Sequence, residues 1–311
     1  MNIYPGFYKE FSCVGNNCLA ACAGEWYPHI CMEQGEAQFL ALSLSCEEVL
    51  RILHHKEDPI TISVEGVVES SEYADAFMEL LDWGMRLLQN DEVPIDIALG
   101  TVGYLGMEAL DCLRREDYAM MREKMALTSN TMSEFIVTKM SLAEGDLSEL
   151  ALQLVYNVTE AFTQLVRDSD LPFHANYTCG EDYYQLSEQG RKQQIAEALL
   201  KQDKSKKHRG MIRRLATAYY MGHLLMLHQQ TSEEIFVGGF CNYMILVEVL
   251  PLMWSHGTVS IEKIYLSTLA QFGRLFDAEG AMNQLIWPIL KQLYEPDVLA
   301  YSMAFMKLFG D

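Results

Sequence analysis

The sequence predicts a mainly α protein: a single multi-helix body with an irregular, cysteine-rich N-terminal segment and at most one short β-hairpin. Three observations support this fold class. Apolar residues recur at helical spacing along most of the 311-residue chain. Glycine and proline are few, 20 and 8, which favours short connections between helices. Half of the eight cysteines lie within the first 31 residues, outside the periodic pattern.

The N-terminal segment, residues 1–35, is expected to be irregular because it is rich in aromatic residues and sustains no 3.6-residue period. Cys13, Cys18 and Cys22 have C-x4-C-x3-C spacing, and Cys31 follows nine residues later. Glycines and asparagines among them permit tight turns around a ligand. We therefore divide the chain into a cysteine-rich segment over 1–35, packed on the body, and a helical domain over 36–311.

The body begins with a less regular stretch. From about Glu36 the apolar pattern predicts two short helices that end at His54-His55, with Ser45 as the N-cap of the second. Residues 58–68 are rich in β-branched side chains and are the one convincing strand candidate.

Longer helices are predicted for the rest of the chain. Serine before acidic residues, as in Ser70-Ser71-Glu72 and Ser232-Glu233, is typical of helix starts, and three glycines indicate a broken or closely packed helix over 95–113. The predicted helices cover 70–90, 95–113, 131–143, 146–168, 181–200, 211–229, 232–254, 260–276, 278–293 and 296–309. An irregular stretch over 169–181 contains Cys179 and is a candidate functional loop.

The acidic composition of the chain disfavours anionic partners. The chain has 43 acidic and 23 basic residues, a net charge of −20, which repels nucleic acid and anionic membrane surfaces. The N-terminus does not resemble a signal peptide, and the longest apolar run, 243–254, is too short and too polar to span a membrane. We expect a cytoplasmic protein whose thiols stay reduced, so clustered cysteines indicate ligation rather than disulfides.

One sizeable basic run interrupts the acidic sequence. Its members are Lys201, Lys204, Lys206, Lys207, Arg209, Arg213 and Arg214. Two interpretations are open: a solvated turn between helices, or an electrostatic site for an acidic partner or an anionic cofactor.

Four thiolates can hold an iron–sulfur cluster or a tetrahedral zinc ion. The paired C-x2-C knuckles of zinc ribbons are absent, which favours iron–sulfur, although a zinc-stabilised domain and buried structural thiols remain as alternatives. His54-His55 together with Cys46 is a weaker candidate metal site. Neither a P-loop nor a G-x-G-x-x-G dinucleotide fingerprint occurs in the sequence.

The cysteine segment resembles the N-terminus of the flagellin lysine N-methylases, which has the pattern F-x-C-x-G-x-x-C-x-x-x-C-C-x-G-W. The matching residues, in order, are Phe11, Cys13, Gly15, Cys18, Cys22 and Trp26. Leu42 to Leu53 is similar to the family's L-S-L-S-C-P-E-A-A-R-L-L segment, and Leu269 to Asp277 is similar to a stretch near its C-terminus.

The resemblance implies methyl transfer from S-adenosylmethionine to flagellin lysines, by a protein with an iron–sulfur cluster on Cys13, Cys18, Cys22 and Cys31. The implied partner is a protein substrate with exposed lysines. The chain departs from the family at Ala23, and the interval from Trp26 to Leu42 is too short for the family's second cysteine block. The alternative is a non-catalytic helical interaction protein that has lost the cluster.

Overall fold

The structure is a computed structural model. It describes residues 2–5, 29–34, 37–42, 47–55, 58–65, 71–141, 149, 151–160, 183, 185–201, 205–225 and 233–254.

Helices dominate the described residues, and the mainly α prediction is confirmed. The α-helices are Glu47–His55 (α1), Glu72–Gln89 (α2), Ile95–Thr101 (α3), Met107–Arg114 (α4), Tyr118–Ala126 (α5), Thr128–Ser141 (α6), Glu188–Leu200 (α7), Lys206–Leu225 (α8) and Glu233–Trp254 (α9). A π-helical turn, Val102–Gly106, joins α3 to α4, and residues 151–160 are also helical.

Within the described residues, four short strands form one mixed sheet. They are Asn2–Pro5 (β1), His29–Gln34 (β2), Ala37–Leu42 (β3) and Ile62–Glu65 (β4), in the spatial order β2-β3-β1-β4. β2 pairs with β3 antiparallel, β3 pairs with β1 parallel, and β1 pairs with β4 antiparallel. The N-terminal strand β1 therefore lies in the sheet between β3 and β4, which come much later in the chain.

This sheet corrects the predicted β content. The strand expected within 58–68 is present as β4. The prediction of at most one short hairpin is wrong, and so is the helix expected from Glu36, because Ala37–Leu42 is a strand. The N-terminal segment contains the regular strands Asn2–Pro5 and His29–Gln34 within the range predicted to be irregular. β1 forms its backbone hydrogen bonds with β3 and β4, more than thirty residues later in the chain, and local periodicity does not reveal such pairing.

Most helix boundaries follow from local signals. Ser71 caps α2 as predicted, its hydroxyl accepting a hydrogen bond from the Ala74 backbone N–H at 3.1 Å. Helix α5 is capped by Asp117, whose carboxylate accepts a hydrogen bond from the Met120 backbone N–H at 3.1 Å. The glycine-rich stretch after Pro94 is one continuous helix with a π turn. A side chain at Gly103 would overlap Val237, so the glycine allows α9 to approach closely.

Helix α8 is central to the fold. It contacts α1, α2, α9 and the strands β2 and β3. Its residues from Met211 to Leu224 are buried except for the half-buried Arg213. The largest fully buried side chains lie on α8 and on the helices packed around it: Tyr220, Tyr243, Phe77, Phe236, Phe240, Leu50 and Leu53. α8 therefore joins the sheet to the helical core.

The predicted helices over 260–276, 278–293 and 296–309 and the loop over 169–181 lie outside the described residues. Of the helices that are described, none has both the length and the apolar character that a membrane span requires.

Candidate functional site

The structure places one of the four predicted ligand cysteines. Cys31 lies in β2, where its backbone is opposite Leu40 of β3. Cys13, Cys18 and Cys22 lie outside the described residues. β2 contacts α8, so the strand that carries Cys31 lies against the central helix of the body.

The weaker metal candidates are only partly described. His54 and His55 end α1, with ring centroids 5.1 Å apart in an edge-to-face arrangement, and His54 Nδ1 lies 3.0 Å from Met211 Sδ. Cys46 and Cys179 lie outside the described residues. Where side chains are described, three or more histidine, cysteine or acidic residues nowhere converge as a metal site would require. Cys112 and Cys241 are both buried in the core, and Cys112 is a free thiol.

A second candidate site is a basic cavity of about 720 Å³ beside the start of α8. Its lining residues are Pro59, Gln89, Asp91, Lys206, Lys207, Arg209, Gly210, Arg213 and Arg214. Five of these carry a positive side chain and one carries a carboxylate. Five of the seven residues of the basic run therefore line a cavity formed by three segments of the chain.

Most of this run is helical, in contrast to its interpretation as a turn between helices. α8 begins at Lys206, where the Ser205 hydroxyl accepts a hydrogen bond from the His208 N–H at 3.2 Å. The first two turns of α8 contain Lys206, Lys207, Arg209 and Gly210, and their backbone is helical. α7 ends at Leu200, six residues before α8 begins.

Two arginines tie the cavity wall to neighbouring segments. Arg213 donates to the Leu88 carbonyl at 3.0 Å and also to the Val93 carbonyl, both at the end of α2 and just beyond it. Arg214 is 5% exposed and its Nε donates to the Leu53 carbonyl of α1 at 2.8 Å. These charged groups are held by helix-end carbonyls, whose partial negative charge suits a guanidinium.

The side-chain amide of Gln89 holds another part of the cavity wall. The Gln89 side chain accepts from the Ile60 N–H and donates to the Ile60 carbonyl at 3.1 Å, which clamps the segment after Pro59 against α2. On the first turn of α8, His208 Nε2 lies 3.0 Å from the buried Glu248 carboxylate of α9. The side chain of Lys206 is 88% exposed, and its ammonium lies 3.7 Å from Asp91.

Further along α8, a histidine lies in an aromatic cluster. The His223 ring lies 4.2 Å from the Tyr219 ring and 5.5 Å from the Phe236 ring, measured between centroids. Burial lowers the pKa of His223 to about 4, because the protonated form would lose its hydration. The imidazole is therefore neutral at physiological pH and acts as a core side chain.

The sequence identified the cations of the cavity but not the cavity. Pro59, Gln89 and Asp91 precede α8 by more than a hundred residues, and no local pattern links them to it. The only early signal was the concentration of positive charge in an acidic chain.

Comparison with protein-family models, with curated proteins and with solved structures finds no match to this chain.

Proposed function

We propose that this chain is a protein lysine N-methyltransferase of the flagellin lysine N-methylase type. It would transfer methyl groups from S-adenosylmethionine to lysine side chains of flagellin. The single observation that carries the proposal is the cysteine motif, in which Phe11, Cys13, Cys18, Cys22 and Trp26 keep the order and spacing of the family pattern.

The donor set fits an iron–sulfur cluster in its chemistry. Cys13, Cys18, Cys22 and Cys31 provide four thiolates, the number that binds a cluster or a zinc ion. The cluster would supply either structural order or electron transfer to the N-terminal segment. Thiolate ligation requires a reducing compartment, so we place the protein in the cytoplasm.

Two further features support the proposal. The helix α1, which lies in the second motif-like segment, and the strand β2, which carries Cys31, both contact α8. The net charge of −20 attracts a substrate with exposed lysines and disfavours nucleic acid as a partner.

The test is methyl transfer by the full chain purified without oxygen. Flagellin and isotope-labelled S-adenosylmethionine are the substrates, and flagellin with acetylated lysines is the control. The proposal predicts label on lysines of unmodified flagellin only, detected by mass spectrometry of its peptides. It also predicts binding of S-adenosylmethionine in equilibrium dialysis.

A second candidate function rests on the short interval between Trp26 and Leu42, which lacks the family's second cysteine block. In this case the chain is a helical interaction protein without catalysis. Absence of both label and S-adenosylmethionine binding, with retained binding to flagellin, would favour this second function over the first.

A further inference from the structure

We infer that the basic cavity at the start of α8 binds a small molecule that carries two or more phosphate groups, such as a nucleoside diphosphate or triphosphate. The inference goes beyond the proposed methyl transfer and does not depend on it.

Charge determines the class of ligand. Among the lining residues that the structure describes, five carry a cationic side chain and Asp91 carries the one carboxylate. This local excess of positive charge occurs in a chain with a net charge of −20. A ligand with one carboxylate would neutralise little of the excess, whereas a diphosphate brings two or more negative charges and several acceptor oxygens. Arginine and lysine are the usual partners of such groups.

Size agrees with a nucleotide. The cavity volume of about 720 Å³ lies within the range of small-molecule sites, roughly 300 to 1,000 Å³. A single inorganic phosphate would occupy only a small part of it. The lining also includes Pro59 and Gly210, which offer uncharged surface beside the cations.

The cavity is formed before a ligand arrives. Arg213 and Arg214 are held by the carbonyls of Leu88 and Leu53, and Gln89 holds the segment at Ile60. A preformed wall lowers the ordering cost of binding.

Lys206 and Lys207 are the residues that we assign to phosphate contact. Both are exposed and line the cavity. The 3.7 Å pair between Lys206 and Asp91 is solvent-exposed, and such pairs contribute little to stability, so a phosphate oxygen can replace the carboxylate at small cost. Arg213 and Arg214 would add positive potential from the wall.

The same charges exclude two other ligands. A long nucleic acid would extend from the cavity onto a predominantly acidic chain, which repels it. S-adenosylmethionine carries a sulfonium and an ammonium group against one carboxylate, so the cavity repels it as well. For this reason the cavity is distinct from the site that methyl transfer would require.

The experiment is isothermal titration calorimetry on the full chain at low salt. The probes are inorganic pyrophosphate, ATP, inorganic phosphate, citrate and a single-stranded oligonucleotide. The test variant is Lys206→Gln/Lys207→Gln. The matched control is Arg86→Gln/Lys201→Gln, which removes the same charge from two exposed positions outside the cavity lining. Far-UV circular dichroism confirms that both variants are folded.

We expect ATP and pyrophosphate to bind, and phosphate, citrate and the oligonucleotide to bind at least about tenfold more weakly. The cavity variant should lose roughly tenfold or more in ATP affinity, since it loses two charge-assisted contacts to phosphate, while the control stays within about twofold. Binding of ATP better than pyrophosphate would show that the nucleoside contributes. The inference is overturned if no phosphate compound binds, if citrate or the oligonucleotide binds as tightly as ATP, or if the two variants behave alike.

Discussion

His223 shows what burial does to a single titratable residue of this protein. Its ring is 8% exposed and lies among Tyr219 and Phe236, and within the described part of the chain Nδ1 has no hydrogen-bond partner. Burial lowers its pKa from 6.5 to about 4. Between about pH 4 and pH 6.5 the unfolded chain therefore binds a proton at His223 that the folded chain does not hold.

This difference predicts that His223 makes the protein less stable in acid. Above pH 6.5 His223 is neutral in both states, and its contribution to the free energy of unfolding is fully present. As the pH falls from 6.5 toward 4, this contribution is lost progressively, because protonation of His223 favours the unfolded state. The loss reaches about 3 kcal/mol, given about 1.4 kcal/mol per pKa unit. Urea unfolding at a series of pH values measures it.

The variant His223→Phe keeps an aromatic ring in the cluster and removes the titration. Between pH 7 and pH 4.5 the free energy of unfolding should fall for both proteins. The decrease should be smaller for the variant than for the wild type, by roughly 2 kcal/mol. Parallel pH profiles for the two proteins would show that His223 is not the group responsible.

At the scale of elements, the packing of α2 against α8 depends on one glycine. A Cβ at Gly84 would overlap the Tyr220 ring and lie 2.5 Å from its oxygen. Tyr220 is fully buried and its hydroxyl donates to the Leu80 carbonyl at 2.7 Å, so the ring has little room to move. The missing side chain thus sets how closely the two helices approach.

Gly84→Ala should destabilise the protein by about 2 kcal/mol, because overpacking of up to about 3 kcal/mol exceeds the gain of about 1 kcal/mol in helix propensity. Thermal and urea unfolding measure the change. Gly190→Ala, on the first turn of α7, is the control. The nearest atom to the added Cβ would be Leu186 Cβ at 3.3 Å, and the free energy of unfolding should change by no more than about 1 kcal/mol. Equal stability of the Gly84→Ala variant and the wild type would contradict the described α2–α8 contact.

The same elements show what the sequence could and could not predict. Helices with local signals were predictable, since Ser71 begins α2 and the helix predicted from Ser232 to Trp254 is observed as Glu233–Trp254. The strand Ala37–Leu42 was mistaken for a helix because a short apolar run fits either structure, and its partner β1 is more than thirty residues away.

For the candidate sites, the result is similar. The cations of α8 were visible as a basic run, but the carbonyls of Leu53 and Leu88 that hold two of them belong to distant segments. Hydrogen bonds between segments 125 or 161 residues apart leave no trace in composition or spacing. The cysteine motif is local in the sequence, and its role as a ligand set stays a prediction because Cys13, Cys18 and Cys22 lie outside the described residues.

At the scale of the molecule, α8 lies next to both candidate sites. The strands β2 and β3, which include the position of Cys31, lie against it, and its first turns line the basic cavity. The central claim is that the N-terminal thiolates hold an iron–sulfur cluster on this body.

The most direct test is the iron and acid-labile sulfide content of the full chain purified without oxygen, together with its visible absorption spectrum. The variant Cys13→Ser/Cys22→Ser removes two proposed ligands, and Cys112→Ala, a buried free thiol in α4, is the matched control. We predict a coloured protein with iron and sulfide in the wild type and in Cys112→Ala, and loss of both in Cys13→Ser/Cys22→Ser. A colourless wild-type protein without iron, or with zinc in its place, would contradict the claim.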